Sequence, residues 1–275
     1  MSRHAAQPGG LPAVLEELHT QRYTGTVLVS GPPGGRIHLR QGRIGAVETP
    51  GAPGAETILR NSGRLAEDMW TPLCARARAA GDEFAAGLAE HGPLSRQEFD
   101  LLCAATLFDG AFAMALGALG SWEVTEVMPF AWSGPYFSPR RVTTETNRRH
   151  ALLAALWDGL PSELARTAFR PAPQLLARVP HRYATLLRAV NGRRTPRDIA
   201  FALGRGTYAV MLDLLRMHRL ELLRYDRPAP PAPRPSTAPR NHGPQAPPGY
   251  PPAASGPALP RRTPGAQHPH RTAER

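Results

Sequence analysis

The stretch VPHRYATLLRAVNGRRTPRDIAFALGRGTYAVMLDLLRMHRLELLRY, residues 179–225, decides the fold. Val179, Tyr183, Leu186, Leu187 and Val190 recur at a helical period and predict one buried stripe, which Asn191-Gly192 ends. Thr195-Pro196-Arg197-Asp198 then supplies a hydroxyl cap, a proline at the first helical position and an acid in the first turn. Ile199, Ala200 and Leu203 form the inner side of this second helix, and Gly204-Arg205-Gly206 makes the tight turn after it. A third helix presents Val210, Met211, Leu214, Leu215 and His218 on one face, and Leu220 to Tyr225 reads as a strand. Helix, short turn, helix, strand is the plan of a helix-turn-helix of the winged type.

Composition bounds the rest. The 275 residues suffice for two ordinary domains. All 33 basic residues are arginines, a bias of the kind a GC-rich genome imposes on codon choice. From Arg227 onward the chain holds fifteen of the 31 prolines and seven arginines against a single acid, Glu274. Such a segment buries too little apolar surface to offset its ordering entropy, so residues 227–275 are expected to be a disordered tail. Its Pro228–Pro235 run favours polyproline II. Cys74 and Cys103 stand in apolar helical surroundings and read as buried small hydrophobes of a reducing cytosol, with a disulfide or half a metal site as the alternative. The N-terminus carries no hydrophobic signal core. Leu101–Leu119 is the most apolar run, but a central Asp109 costs a membrane helix about 2.5–3.5 kcal/mol. Two buried helical segments parted at Asp109-Gly110 are expected instead, in a cytoplasmic protein with no membrane partner.

Ahead of the helix-turn-helix, a flexible start (1–10) leads to an α+β domain over 11–127. Leu11–His19 is a helix; Thr26–Ser30, Arg36–Arg40 and Arg43–Thr49 are strands, the last two joined by Gln41-Gly42. In Arg36-Ile37-His38-Leu39-Arg40 the alternation turns Ile37 and Leu39 inward, leaving Arg36, His38 and Arg40 outward. Helices follow over Glu56–Asn61, over Leu65–Ala80 and from Arg96, the last opened by the capping box Ser95-Arg-Gln-Glu98. Gly120–Glu126 is a returning strand. The proline-rich joint 128–141 holds Phe130, Trp132, Tyr136 and Phe137, either clasping the two domains or offering an aromatic patch to a partner. A helical, winged-helix-like domain occupies 142–226; its opening helix, Thr144–Leu160, turns Leu152, Leu153, Leu156 and Trp157 inward. The fold class expected is therefore α+β: a small antiparallel sheet with packed helices, then a mainly helical winged-helix-like domain and a disordered tail.

Leu11-Pro12, Tyr23-Thr24-Gly25-Thr26-Val27, Gly35 to Ile44 and the late Gly120-Ser-Trp-Glu-Val124 together resemble the PatA N-terminal-like (PATAN) domain of bacterial signalling proteins. The likeness covers a little under half of the chain and rests on structural glycines and alternating strands. It implies a non-catalytic, protein-binding role, often beside a receiver domain; this chain has no receiver domain, so no phospho-acceptor aspartate carries over. A later winged-helix segment is also familiar in such proteins.

Chemistry is sparse. Gly31-Pro-Pro-Gly-Gly-Arg36 lacks the Lys-Ser/Thr pair of a phosphate loop. Glu67-Asp68 and Asp82-Glu83 are adjacent carboxylates that face apart. His181, His218, His268 and His270 have no companions at ligand spacing, so neither a metal nor a cofactor is expected. Ten arginines against Asp198, Asp213 and Glu221 make residues 178–224 strongly basic. For a transcriptional regulator, Arg193, Arg194, Arg197 and Arg205 would meet DNA phosphates, and Thr207 and Tyr208 would probe the groove of double-stranded DNA. Against that, the third helix offers no Asn, Gln or Lys for base reading and carries Asp213. For a signalling adaptor without DNA binding, Arg36, His38, Arg40, Arg43, Trp132 and Tyr136 would engage a protein partner. One contiguous arginine face around Thr207 favours the regulator; scattered arginines or a buried Tyr208 favour the adaptor.

Overall fold

A computed structural model of the chain describes residues 3–4 (backbone only), 10–61, 63, 71–72, 75, 94–126, 134–172 and 179–225. Most of the Leu65–Ala80 helix with Cys74, both carboxylate pairs, Phe130, Trp132, His268, His270 and the tail expected from Arg227 lie outside the described residues. The fold is α+β, and the chain from Met1 to Pro228 forms one compact unit.

The sheet is antiparallel throughout, in the order β1-β5-β2-β3-β4. Its strands are β1 (Arg3–His4), β2 (Gly25–Val29), β3 (Gly35–Arg40), β4 (Arg43–Glu48) and β5 (Trp122–Thr125). Thus a two-residue strand lies inside the segment expected to be a flexible start. Gln41 and Gly42 take φ of 53° and 72°, the doubly positive turn that matches strand twist in a two-residue hairpin. One face of the sheet buries Val27, Val29, Ile37, Leu39, Ile44 and Val47. Against it pack Leu11, Leu15 and Leu18 of α1 (Gly10–Thr20), together with side chains from two longer helices.

The first of these, α3 (Arg96–Ala115), follows the short α2 (Ala55–Asn61) in the described chain and starts on the expected capping box: Glu98 N–H donates to Ser95 Oγ and Ser95 N–H to Glu98 Oε2. It runs unbroken through Asp109-Gly110, where the sequence suggests a division. Gly110 does not end the helix; it lets the helix lie against β4, because a Cβ there would come within 2.8 Å of the Val47 carbonyl. The second, α4 (Pro139–Leu156), begins earlier than expected, on a Ser138 cap with Pro139 in its first turn. It buries Val142 at one end and Leu153 at the other, whereas Leu152, expected to face inward, is exposed.

The helical unit comprises α5 (Pro161–Leu164), β6 (Phe169–Pro171), α6 (His181–Ala189), α7 (Pro196–Leu203), α8 (Thr207–Arg219) and β7 (Leu223–Tyr225). Thr195 and Asp198 cap α7 reciprocally, and Gly204 ends it at φ 58°. The strand partner absent from the sequence reading is β6, which precedes α6 and pairs antiparallel with β7. The core of this unit includes Tyr183, Leu186, Ile199, Val210, Met211, Leu214 and Leu215, and it takes in Phe112 from α3 and Leu153 from α4. Both long helices therefore serve two cores: Leu107, Met114 and Val142 lie in the sheet core, Phe112 and Leu153 in the helical one.

Candidate functional site

The geometry that bears on function lies where α8 begins. An α-helix leaves its first four N–H groups without intrahelical partners. Here the residue before α8, Gly206, has no side chain to cap them. Asp109 of α3 does so from 98 residues away: Oδ2 accepts from the Thr207 N–H at 2.6 Å and Oδ1 from the Tyr208 N–H at 2.8 Å. A Cβ on Gly206 would lie 3.2 Å from the Asp109 carboxyl, so the glycine is what lets the carboxylate approach. Burial pushes the Asp109 carboxyl above the usual carboxylate range, and the Tyr208 and Thr207 amides and then Arg149 pull it back. Because both oxygens accept short bonds, the ionised form is the one that fits this geometry.

A second layer holds the carboxylate in place. Arg149 Nη1 stands 3.9 Å from Asp109 Oδ1, and its guanidinium lies 4.8 Å from the Tyr208 ring centroid. Glu145 anchors Arg149 at 2.8 Å and Arg148 at 2.7 Å, and the hydrogen bond from Arg148 is the largest cause that brings the Glu145 carboxyl down to about 2. Phe112 meets the Tyr208 ring edge-on at 5.2 Å and His150 at 5.0 Å. Burial also lowers the His150 pKa, against the opposing effect of a hydrogen bond with the Phe112 backbone.

The six residues assigned to DNA contact separate accordingly. Thr207 is buried, and its hydroxyl donates to the Gly51 carbonyl at 3.1 Å. Tyr208 is half-buried in the cluster just described. This overturns their placement at the tip of a groove-reading helix: the tip is docked on α3. From Thr207 to Leu215 no residue of α8 is fully exposed; Arg216 is the first. Arg197 Nε donates to the Pro50 carbonyl at 2.6 Å, with the guanidinium over the Phe201 ring. Arg205 pairs with Asp213 at 2.7 Å. Arg193 and Arg194 are exposed on a turn whose amides bond Asn191 Oδ1. Of the four arginines, Arg197 and Arg205 are thus engaged within the chain, and Arg193 and Arg194 project from the turn before α7.

The partner-binding set also divides. Arg36, Arg40 and Arg43 are exposed, and Arg40 opposes Arg43 across the hairpin turn. His38, expected outward, is buried: its ring bridges Thr26 Oγ1 at 3.2 Å and Glu48 Oε2 at 2.8 Å, and strong polar partners are what permit that burial. Tyr136 is half-buried with its ring over Gly45, while Phe137 exchanges two backbone hydrogen bonds with Ile44 of β4. These two rings therefore fasten the joint to the sheet edge. Trp132 lies outside the described residues.

A groove of about 740 Å³ runs beside β3 and β4, with Arg36, Glu48, Pro50, Pro53, Arg197 and Phe201 in its walls. Among the described residues no cluster of three or more His, Cys, Asp or Glu is placed to hold a metal ion, and no helix is long and apolar enough to cross a membrane. Cys103 is a free, buried thiol, pushed by burial to about 12. Sequence reasoning missed Asp109 as a functional residue, seeing only its cost to a membrane helix. The available signal was double: an acid isolated in an apolar helix, and a helix that opens on glycine with no cap of its own.

No family model matches the chain, and no curated protein and no solved structure matches it.

Proposed function

We propose that the protein is a non-enzymatic signalling adaptor that works through protein contacts and reads no DNA sequence. The observation that carries this reading is the Asp109 cap on α8. It occupies the end of the helix that would approach base edges, and Phe112 ties the same helix into a shared core. In the PATAN-like reading, the α+β part receives the signal, and the exposed Arg36, Arg40 and Arg43 of the β3–β4 hairpin are the residues offered to a partner. The exposed guanidinium groups of this hairpin suit a partner surface rich in carboxylates.

The test is a selection of genomic DNA fragments by the full chain, beside co-purification of partners by the wild type and by Arg40→Glu/Arg43→Glu. The adaptor reading expects no enriched sequence motif and loss of specific partners from the charge-reversed variant. An enriched motif that depends on Tyr208 contradicts it. The second reading, a transcriptional regulator, is favoured by one observation: Arg193 and Arg194 remain exposed on the turn before α7.

A further inference from the structure

The core between the sheet and its helices contains a cavity of about 140 Å³, walled by α1, α3, α4 and the inner face of β3 and β4. Leu11, Ile37, Val47, Met114 and Val142 line it, with the exposed Leu119 at its rim. A close-packed core leaves few voids larger than a water molecule, so one of this size asks for an account. No charged side chain stands in its described walls, and all the polar ones come from α4: Thr143, Thr146 and Asn147. Asn147 is exposed and Thr143 half-buried, whereas Thr146 is only 8% exposed. A threonine inside a helix ordinarily returns its hydroxyl to a carbonyl one turn back. Thr106 does so on α3, donating to the Leu102 and Cys103 carbonyls at 3.0 and 3.1 Å. The Thr146 hydroxyl makes no hydrogen bond among the described residues. A buried donor therefore borders an apolar cavity with nothing to receive it.

We propose that this cavity binds a small uncharged carbonyl compound: a hydrocarbon body of about six carbons among the apolar walls, its carbonyl oxygen accepting from the Thr146 hydroxyl. The occupant's chemistry follows from what the walls hold and lack. A buried ion without a counter-charge carries a heavy desolvation cost, so walls without charge suit an uncharged molecule. Water is a poor occupant, because an ordered water needs about two to four polar partners, and Thr146 is the one buried polar side chain in the described walls. The size agrees: an apolar cavity of about 150 Å³ holds a benzene-sized molecule. A single unpaired donor then orients the ligand and separates it from a hydrocarbon of the same shape. This goes beyond the adaptor reading and does not depend on it: an adaptor with this site would take a small molecule as well as a protein partner.

The test uses the full chain, isotopically labelled at the methionine methyl groups and followed by NMR. Met114 lies in the cavity wall, while Met211 and Met217 belong to the helical core and serve as internal references. The probe is methyl butyl ketone, compared with its methylidene analogue, in which a carbon replaces the carbonyl oxygen, and with the hexanoate anion. The ketone is expected to shift the Met114 methyl saturably, with half-saturation on the order of 1 mM, and to leave the two references in place. Hexanoate should bind at least about tenfold more weakly. Thr146→Val keeps the shape and removes the donor, so it should weaken the ketone by about three- to tenfold without weakening the alkene. Ala111→Leu fills the cavity from α3 and should abolish the shift by both. Absence of a saturable Met114 shift up to about 50 mM ketone would reduce the cavity to a packing void and overturn the proposal. So would a ketone affinity untouched by Thr146→Val, equal losses for ketone and alkene in that variant, a shift that persists in Ala111→Leu, or hexanoate binding as tight as the ketone. The methyl shifts are read without any partner protein, so their failure would leave the adaptor reading standing.

Discussion

Asp109 is the residue on which the helical unit's position turns. Truncating it to alanine leaves two buried N–H groups without an acceptor, and each unsatisfied buried donor costs about 1–3 kcal/mol. Asp109→Ala should therefore destabilise the chain by about 2–5 kcal/mol in urea unfolding, and Asp109→Asn, which keeps one acceptor oxygen, by clearly less. His150 gives the fold a pH dependence. Its pKa is lowered in the folded chain, so the unfolded chain takes up the proton first: stability is intact above about pH 6.5 and is lost as pH falls below it toward the folded value. Glu145 adds a second loss at lower pH, as acidification passes from the ordinary carboxylate range toward its value of about 2. Urea midpoints at pH 7.5 and 5.5 should differ less for His150→Phe than for wild type. An unchanged difference would place the titration elsewhere.

Among the elements, α3 shows where local pattern and packing disagree. Helix propensity alone makes Gly110→Ala stabilising by about 1 kcal/mol. The Val47 carbonyl 2.8 Å from the new Cβ reverses that sign, and the variant should be less stable than wild type. A rise in melting temperature would contradict the close approach of α3 to β4. The elements legible in the sequence were those whose signals are local: the Gln41-Gly42 hairpin, the Ser95–Glu98 and Thr195–Asp198 capping boxes, and the three helices of residues 181–219. What stayed hidden depended on distant partners. Asp109-Gly110 read as a break because its capping target lies 98 residues away. His38 read as exposed because period-two alternation does not show that Thr26 and Glu48 flank it. The strand β6 that pairs with β7 lies before α6, about fifty residues away in sequence, so no local signal joins the two.

At the scale of the whole molecule, the two cores share helices, so they should not unfold separately. Phe112 is fully buried among residues of the helical unit, on the same helix that gives Leu107 to the sheet core. Phe112→Ala should cost about 3–5 kcal/mol, and fluorescence and far-ultraviolet dichroism should lose signal in one coincident transition before and after the change. Two separated transitions would mean that the helical unit is an autonomous winged helix, and the regulator reading would regain ground. The most direct measurement is amide hydrogen exchange at Thr207 and Tyr208 in the full chain. First-turn amides of a free helix exchange readily, because nothing within the helix accepts from them. With Asp109 in place they should be protected nearly as well as the amides of Leu214 and Leu215, and Asp109→Ala should release them selectively. Rapid exchange of both amides in the wild-type chain would show that the start of α8 is open, and would contradict the account.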